Sequence, residues 1–385
     1  MAIRVEYDLV GFPAAWEQVA DEWHELFAAC ANPCAAYHPV FISAAVELPA
    51  ALRPSHLVLG RQAGRLVLGL PVCAQTDPLG GRQLRFFTIP GFDHLAPLDA
   101  TPGQQATAAL LLGGSRQIGV TIWRGSGAAP EPLAPLQRRA RARSIWLERS
   151  REYECPVFEL RNGEALAAIA SPSLRSRVQR DWRRLQRDGF VFRALTADSA
   201  DTTLGEALER LFVLHQARWE SLAATSAFLV PWLQEFHRRA CAAAARFPGS
   251  ILFSELLHRG QVCASEYCFR AKNDLYGYQS GWAPEHAHNA PGNVLLYQTL
   301  LWAADQGISR FYLGSGHGRS RHKDRWTHAT SQNLTFAAGC SPRGRAYVAL
   351  ARLRLAVRKK GPSQGLFFWL AGRDPGANTA HRSGG

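Results

Sequence analysis

The chain has 385 residues, 47% hydrophobic, 10% aromatic and 19% charged, a composition that excludes chain-wide disorder and a length that suits two domains or one large one. Its 44 Lys and Arg against 31 Asp and Glu give a net charge of +13, which favours anionic partners such as phosphates, nucleic acid, acidic lipid or an acidic cofactor. No apolar run approaches the roughly 18 residues of a membrane span, and the opening MAIRVEYDLV lacks the core of a secretory leader, so a cytoplasmic protein is expected. The eight cysteines form no C-x-x-C pair, which argues against a zinc ribbon or thioredoxin-like motif and for small buried hydrophobes in a reducing compartment.

The first 150 residues mix helix and strand signals. Trp16, Val19, Trp23, Leu26 and Phe27 recur at helical spacing over 14–29, and a second helix is expected over 39–48. HLVLGRQAGRLVLGLPVCA reads as two strands joined by a turn at Gln62, Ala63 and Gly64. Residues 84–89 and 120–124 read as strands, 103–112 as a helix and 125–135 as a loop.

Over 171–188, Ser171 is placed to cap a helix that tolerates Pro172 in its first turn and ends at Gly189. Leu174, Val178, Trp182 and Leu185 give it an apolar stripe, while six arginines face two aspartates on the rest. That surface is either a solvated helix face or a phosphate-contacting one. Helices are expected over 204–221 and 230–245. Three strands follow, 250–257, 262–270 and 275–282, with short turns between them, a meander. An irregular loop, a helix stopped by Gly307 and a strand over 308–314 complete the series. The two halves show a similar element order without a sequence repeat, which makes a duplicated α+β unit the expectation. The tail 340–385 carries nine Lys or Arg against one Asp. Within it, 346–360 reads as a basic helix, packed on the domain or touching a membrane surface.

The order of meander, loop with Pro-Gly, helix and strand resembles the GNAT acetyltransferase core, and more narrowly the Fem-like branch of CelD/BcsL-type acetyltransferases associated with bacterial cellulose synthesis. The resemblance is carried by the Arg-rich helix from Arg175 to Leu185 and by H-x-x-R-W at His215, Arg218 and Trp219. Gly281 ahead of Pro284 and Glu285, Pro291-Gly292 before Leu295 and Leu296, and Gly307 and Phe311 leading to Gly314, Gly316, Lys323 and Trp326 complete it. Two features depart from that pattern. Tyr312 replaces the usual Asp after the Phe of the last strand, and the usual acidic segment after the glycine becomes Gly316-His317-Gly318-Arg319-Ser320-Arg321-His322-Lys323.

The resemblance implies an α+β fold of tandem GNAT-like (acyl-CoA N-acyltransferase) domains with mixed central sheets flanked by helices. An N-terminal domain is expected over 1–155, a C-terminal GNAT domain over 156–340 and a basic helix and tail over 341–385. Two central strands would part to admit a thioester arm, with pyrophosphate on the helix entry at Asn289, Pro291, Gly292 and Asn293, and Gly281 nearby. The donor would be acetyl-CoA, another acyl-CoA or a carrier-protein thioester, and the acceptor an amine. His215, Arg218, Trp219 and Lys323 would shape the acceptor side. For the base, Glu266 stands out as an acid inside a strand of small apolar residues, where burial raises a carboxyl toward neutral pKa. His317 and His322 are alternative bases. Tyr312, like Tyr276 and Tyr278, could donate a proton to the leaving thiolate. His286 and His288 lack a third ligand at a standard spacing, so no metal is expected, and no DNA partner. Two alternatives stay open. One is a Fem-type transferase using aminoacyl-tRNA, and the other is a catalytically degenerate pair acting as a binding protein.

Overall fold

The computed structural model describes residues 5–76, 82–100, 120–126, 146–160, 168–200, 202–314, 323, 325–339 and 341–358. In the first half, strand β1 (Val5–Gly11) leads into helices α1 (Ala14–Ala29) and α2 (Pro39–Val46), then strands β2 (His56–Gln62), β3 (Arg65–Thr76), β4 (Arg82–Phe86), β5 (Leu98–Asp99), β6 (Val120–Ser126) and β7 (Trp146–Glu159). The second half runs α3 (Pro172–Arg187), β8 (Phe190–Leu195), α4 (Leu204–Ser221), α5 (Pro231–Ala243), β9 (Ile251–His258), β10 (Gln261–Ala271), β11 (Asp274–Trp282), α6 (Pro291–Asp305), β12 (Arg310–Tyr312), β13 (Thr330–Gly339) and α7 (Pro342–Arg358).

Local chemistry explains the element ends. The Ser171 hydroxyl accepts from the Leu174 amide, as the sequence suggests, and Thr203 and Glu206 form a reciprocal capping box on α4. Arg259 and Gly260, like Ala63 and Gly64, both take positive φ in two-residue hairpin turns. The expected helices at 14–29, 171–188 and 204–221 and the three-strand meander are present. The expected helix over 103–112 lies outside the described residues.

Four strands carry no clear period in sequence. β7 is charge-rich, β13 is polar, and β1 and β8 lie at the two ends of the sheet. β7 and β13 are nonetheless interior strands, since β13 pairs with both β6 and β7. Main-chain ladder bonds on both sides hold them, with Cys155, Val157, Phe158 and Ala338 buried along them.

All strands but β5 join one path, β1-β2-β3-β4-β6-β13-β7-β12-β11-β10-β9-β8. The run β1-β2-β3-β4-β6 in the first half has the same connectivity as β8-β9-β10-β11-β12 in the second. Each holds a single parallel contact, β4 with β6 and β11 with β12, and each opens strand–helix–helix–strand. The fold is GNAT, built twice, with mixed sheets flanked by helices. The boundary expected at 155/156 falls inside β7. Its residues up to Pro156 pair with β13 in the first sheet, and Val157–Glu159 pair with β12 in the second. β13, in turn, lies between β6 and β7, so the second half completes the first sheet.

One core crosses the two halves. Phe41 of α2 packs tilted against Phe269 of β10 at 4.3 Å, and Phe92 stacks on the same ring at 5.4 Å. Polar ties reinforce it. The Lys272 ammonium donates to the Cys30 carbonyl, and Arg310 Nη2 donates to Asn32 Oδ1 at 2.7 Å. The basic tail is helical over Pro342–Arg358 and packs through Tyr347 and Val348. Among the described residues no helix is long and apolar enough to cross a membrane.

Candidate functional site

The site forms where two parallel strands part. β11 and β12 pair over only three residues, ending at Tyr276 and Tyr312. β11 continues from Gly277 to Trp282, whereas the Leu313 amide turns to the Pro156 carbonyl of β7 at 3.0 Å. A bulge sharpens the divergence: Tyr267 faces Gln279 and Cys268 faces Gly277, leaving Tyr278 without a partner on β10. The result is a wedge between the last six residues of β11 and the 313–314 segment.

Glu266 lies beside this wedge. Its Oε1 is the nearest atom to where a Cβ on Gly277 would stand, at 3.3 Å, so a side chain there would crowd the carboxylate. Its Oε2 accepts from the Thr299 hydroxyl of α6 at 3.2 Å, a proton shared with the Leu295 carbonyl at 2.9 Å. The residue is deep in the sheet yet keeps partial exposure, as expected at the floor of a cleft. Burial pushes its carboxyl up to about 7, against the opposing pull of the Thr299 hydroxyl and the Lys323 charge. The alternation of small residues around it in β10 pointed to this position from sequence.

Lys323 closes the wide end. Its ammonium donates to the Leu313 and Gly314 carbonyls at 2.6 and 3.1 Å, holding the strand end apart from β11. Burial lowers its pKa, while Cys155, Asp93 and Glu266 pull it back up and Arg218 adds to the lowering. Asp93 and His94 come from the first half, and the Asp93 carboxylate sits 3.6 Å from where a Cβ on Gly314 would be. The sequence reading passed over these two residues. Their signal is an acid and a histidine inside the Pro-bounded apolar segment 90–97.

α4 supplies the other wall. The His215 Nδ1 proton goes to the Ser280 carbonyl at 2.8 Å, and its Nε2 therefore accepts from the Ser226 hydroxyl, also at 2.8 Å. Burial holds this ring neutral, with its pKa down to about 4. Arg218 Nη1 donates to the Ser280 carbonyl and hydroxyl at 3.1 and 3.2 Å, and the guanidinium lies 3.9 Å over the Trp282 ring. Trp219 rests beside His215, with ring centroids 5.8 Å apart. Gly281, expected at the cofactor, instead faces α4, where a Cβ would fall 2.4 Å from the His215 nitrogen. Its lack of a side chain serves helix packing.

At the entry to α6, Asn289 is buried and its Oδ1 accepts from Arg184 Nη2 at 3.3 Å. Ala290 takes left-handed φ as the cap. Pro291 has no N–H, and the Asn293 and Val294 amides reach the Ala290 carbonyl at 3.0 and 3.3 Å. Gly292 therefore carries the one first-turn amide without an acceptor among the described residues, and it packs against Trp282. This is a narrower anion cradle than a fully open helix terminus.

The remaining candidates separate. Tyr312 stacks on Tyr276 at 4.6 Å and meets the tilted His94 ring at 4.7 Å, within the core shared with the first half. Its neighbours Phe311 and Leu275 point to the α6 side, where Thr299 holds Glu266. The structure thus puts Tyr312 and Glu266 on opposite sheet faces, and burial raises the phenol to about 12. His317 and His322 lie outside the described residues. Among the described residues no three His, Cys, Asp or Glu side chains cluster as metal ligands would.

Residues 172–324 match the acetyltransferase (GNAT) domain family, the segment that carries the wedge and Glu266. No curated protein matches the chain significantly. Among solved structures, FemX aligns at a TM-score of 0.62 with 9% identity, covering 86% of this chain and 98% of FemX. The C-terminal domain of a putative lysylphosphatidylglycerol synthetase from Agrobacterium fabrum aligns at 0.54 with 10% identity, covering 88% and 96%. L-PGS from Bacillus licheniformis aligns at 0.52 with 11% identity, covering 88% and 97%. At these identities the likeness is one of fold, and it extends over both halves.

Proposed function

We propose that the chain is an N-acyltransferase that moves an acyl group, acetyl in the simplest case, from a thioester to an amine. The observation that carries this reading is Glu266, an acid at neutral pKa on the floor of a strand wedge, within the field of Lys323. A base of pKa near the working pH is half ionised there and both accepts and returns a proton readily. Glu266 would take the proton the amine loses as its nitrogen bonds to the acyl carbon. The thioester supplies the activated acyl group. Coenzyme A or a carrier-borne pantetheine fits along the unpaired stretch of β11, with its phosphate toward the Gly292 amide and Arg184. Glycine at 277 keeps a side chain off the Glu266 carboxylate, and glycine at 292 keeps one off the Trp282 ring. Acetyl-CoA is the donor to try first.

The test is thiol release from acetyl-CoA with a panel of amines, followed against pH. Glu266→Gln should lower kcat by 10²–10⁴ and abolish the acidic limb of the profile near pH 7. An unchanged profile would remove Glu266 from the mechanism. A second reading has its own support. Arg177, Arg180, Arg184 and Arg187 stand exposed in one line along α3, spaced 3, 4 and 3, with no ion pair among the described residues. At one arginine per helical turn, this stripe suits a phosphate backbone and hence an aminoacyl-tRNA donor. Salt-sensitive tRNA binding without acetyl-CoA turnover would select it. A folded protein with neither activity would leave the binding-protein alternative.

A further inference from the structure

Resting on the acyltransferase reading, we propose that Arg218, backed by Lys323, forms a recognition site for an oxyanion on the acyl acceptor, so that the favoured substrates are amines bearing a carboxylate or phosphate. Four observations lead there. First, the Arg218 guanidinium is half-buried and has no acidic partner among the described residues. Other part-buried arginines of the second half are mostly paired: Arg193 and Arg210 share Glu255, and Arg310 pairs with Asp274, while Arg270 of β10 gives its Nε to the Lys272 carbonyl. Second, the group is fixed. Nη1 is held by Ser280, and the guanidinium plane lies on Trp282, so its orientation is set before anything binds.

Third, the donors that remain are of the right kind. The Nε–Nη2 edge is the side of the guanidinium that grips carboxylate or phosphate through two parallel hydrogen bonds. Among the described residues the hydrogen bonds of this guanidinium all run from Nη1, and Nε is a buried donor with no acceptor. Trp219 Nε1, from the next residue of α4, is a second buried donor with no acceptor among the described residues. Orphaned donors cost stability when no acceptor meets them, and an entering oxyanion offsets that cost. Fourth, Arg218 lies close enough for its charge to act on Lys323. Against them stand Asp93 and Glu266, the latter carrying a proton part of the time near neutral pH.

The arrangement also favours the chemistry. Two cations beside the wedge disfavour the ammonium form of an incoming amine, leaving more of it as the neutral nucleophile. An acceptor whose anion is held by Arg218 brings its amine toward Glu266, whose register partner on β11 is Ser280, the residue Arg218 holds.

The experiment pairs acceptors that differ only in the anion: O-phosphoethanolamine against ethanolamine, and glycine against glycinamide, with acetyl-CoA as donor. In the native protein kcat/KM should favour the anionic member of each pair by tenfold or more. Arg218→Gln should collapse that ratio at least tenfold while the KM for acetyl-CoA stays within twofold, and Arg218→Lys should restore it only in part, since an ammonium lacks the fork. Inorganic phosphate should inhibit the native protein competitively against the anionic acceptor, with chloride at equal ionic strength inert. This last arm needs no variant. Equal loss on charged and neutral acceptors would overturn the proposal, as would a rise in the KM for acetyl-CoA alone, which would assign the oxyanion to the donor's phosphate. Calorimetric titration with O-phosphoethanolamine separates the two readings: binding that Arg218→Gln abolishes, without turnover of any amine, keeps the anion site and removes the acyltransferase.

Discussion

The two sheets share strand order, an opening strand–helix–helix–strand series and a single parallel contact, yet among the described residues a cleft opens in only one. In the first half β4 ends at Phe86, one residue past its last parallel pair with β6, so no stretch of strand is left unmatched. In the second half β11 runs six residues beyond its last pair with β12. The chain after β4 takes a different course, carrying Pro90, Asp93 and His94 onto the second half. One copy of the unit thus supplies the opening, and the other supplies part of its lining. A duplicated fold does not duplicate a site. The strand length beyond the last shared hydrogen bond decides where the site is.

The two copies also differ in how glycine lets helix meet sheet, and that difference is the largest effect to test. A Cβ on Gly281 would meet the α4 backbone at 2.4 Å, while one on Gly69 of β3 would meet the Trp23 and Leu26 side chains of α1 at 2.7 and 3.0 Å. Backbone cannot yield as side chains do. Gly281→Ala should cost about 3 kcal/mol or more, and Gly69→Ala less than that, measured by chemical denaturation. Equal costs would show that α4 shifts as freely as two side chains turn.

Next in size is the charge at the wedge. Glu266 has a folded pKa of about 7 against the ordinary 4.5, so its ionisation opposes folding. The native protein keeps this group's contribution below pH 4.5 and loses it as pH rises toward 7. Glu266→Gln should therefore match the native stability at pH 4.5 and exceed it at pH 8, by roughly 2 kcal/mol once partial exposure is allowed for. A variant that is less stable at pH 8 would show a well-paired carboxylate instead of a strained one.

Smallest is the polar link between the halves. Tyr267 donates to His237 Nδ1 at 3.3 Å, His237 Nε2 donates to Tyr278 at 3.1 Å, and Tyr278 donates to the Pro90 carbonyl at 2.6 Å. Tyr278→Phe should lower stability by about 1–2 kcal/mol and speed amide exchange in 87–98 ahead of the rest of the first half. No change in that loop would mean that the Phe92 ring contacts hold it without the phenol.

Part of this was legible in the chain. The stripe of Trp16, Val19, Trp23 and Leu26, the capped arginine helix and the three-strand meander follow from local periodicity and turn chemistry, and they carried the fold class. Glu266 stood out because a lone acid among Ala264, Cys263 and Cys268 has few reasons to be there. β7 and β13 did not show, because their charged and polar residues carry no period and their place comes from neighbours on both sides. Glu266 and Tyr312 are both expected from sequence at the catalytic site, as base and as proton donor. The alternation of faces along β12, which sets Tyr312 apart from Phe311, sends the phenol to the other side.

By itself the sequence determined the capped helices, the hairpin and the meander, where their caps and turns fall, and that one carboxyl would be pushed toward neutrality, since each depends on residues near in the chain. Tertiary structure alone decided that β13 completes the first sheet, that Asp93 and His94 reach the second half, and that Arg218 meets Ser280 and Trp282. Those contacts join residues tens to hundreds of positions apart, and no local pattern encodes which distant strand a main-chain hydrogen bond will find.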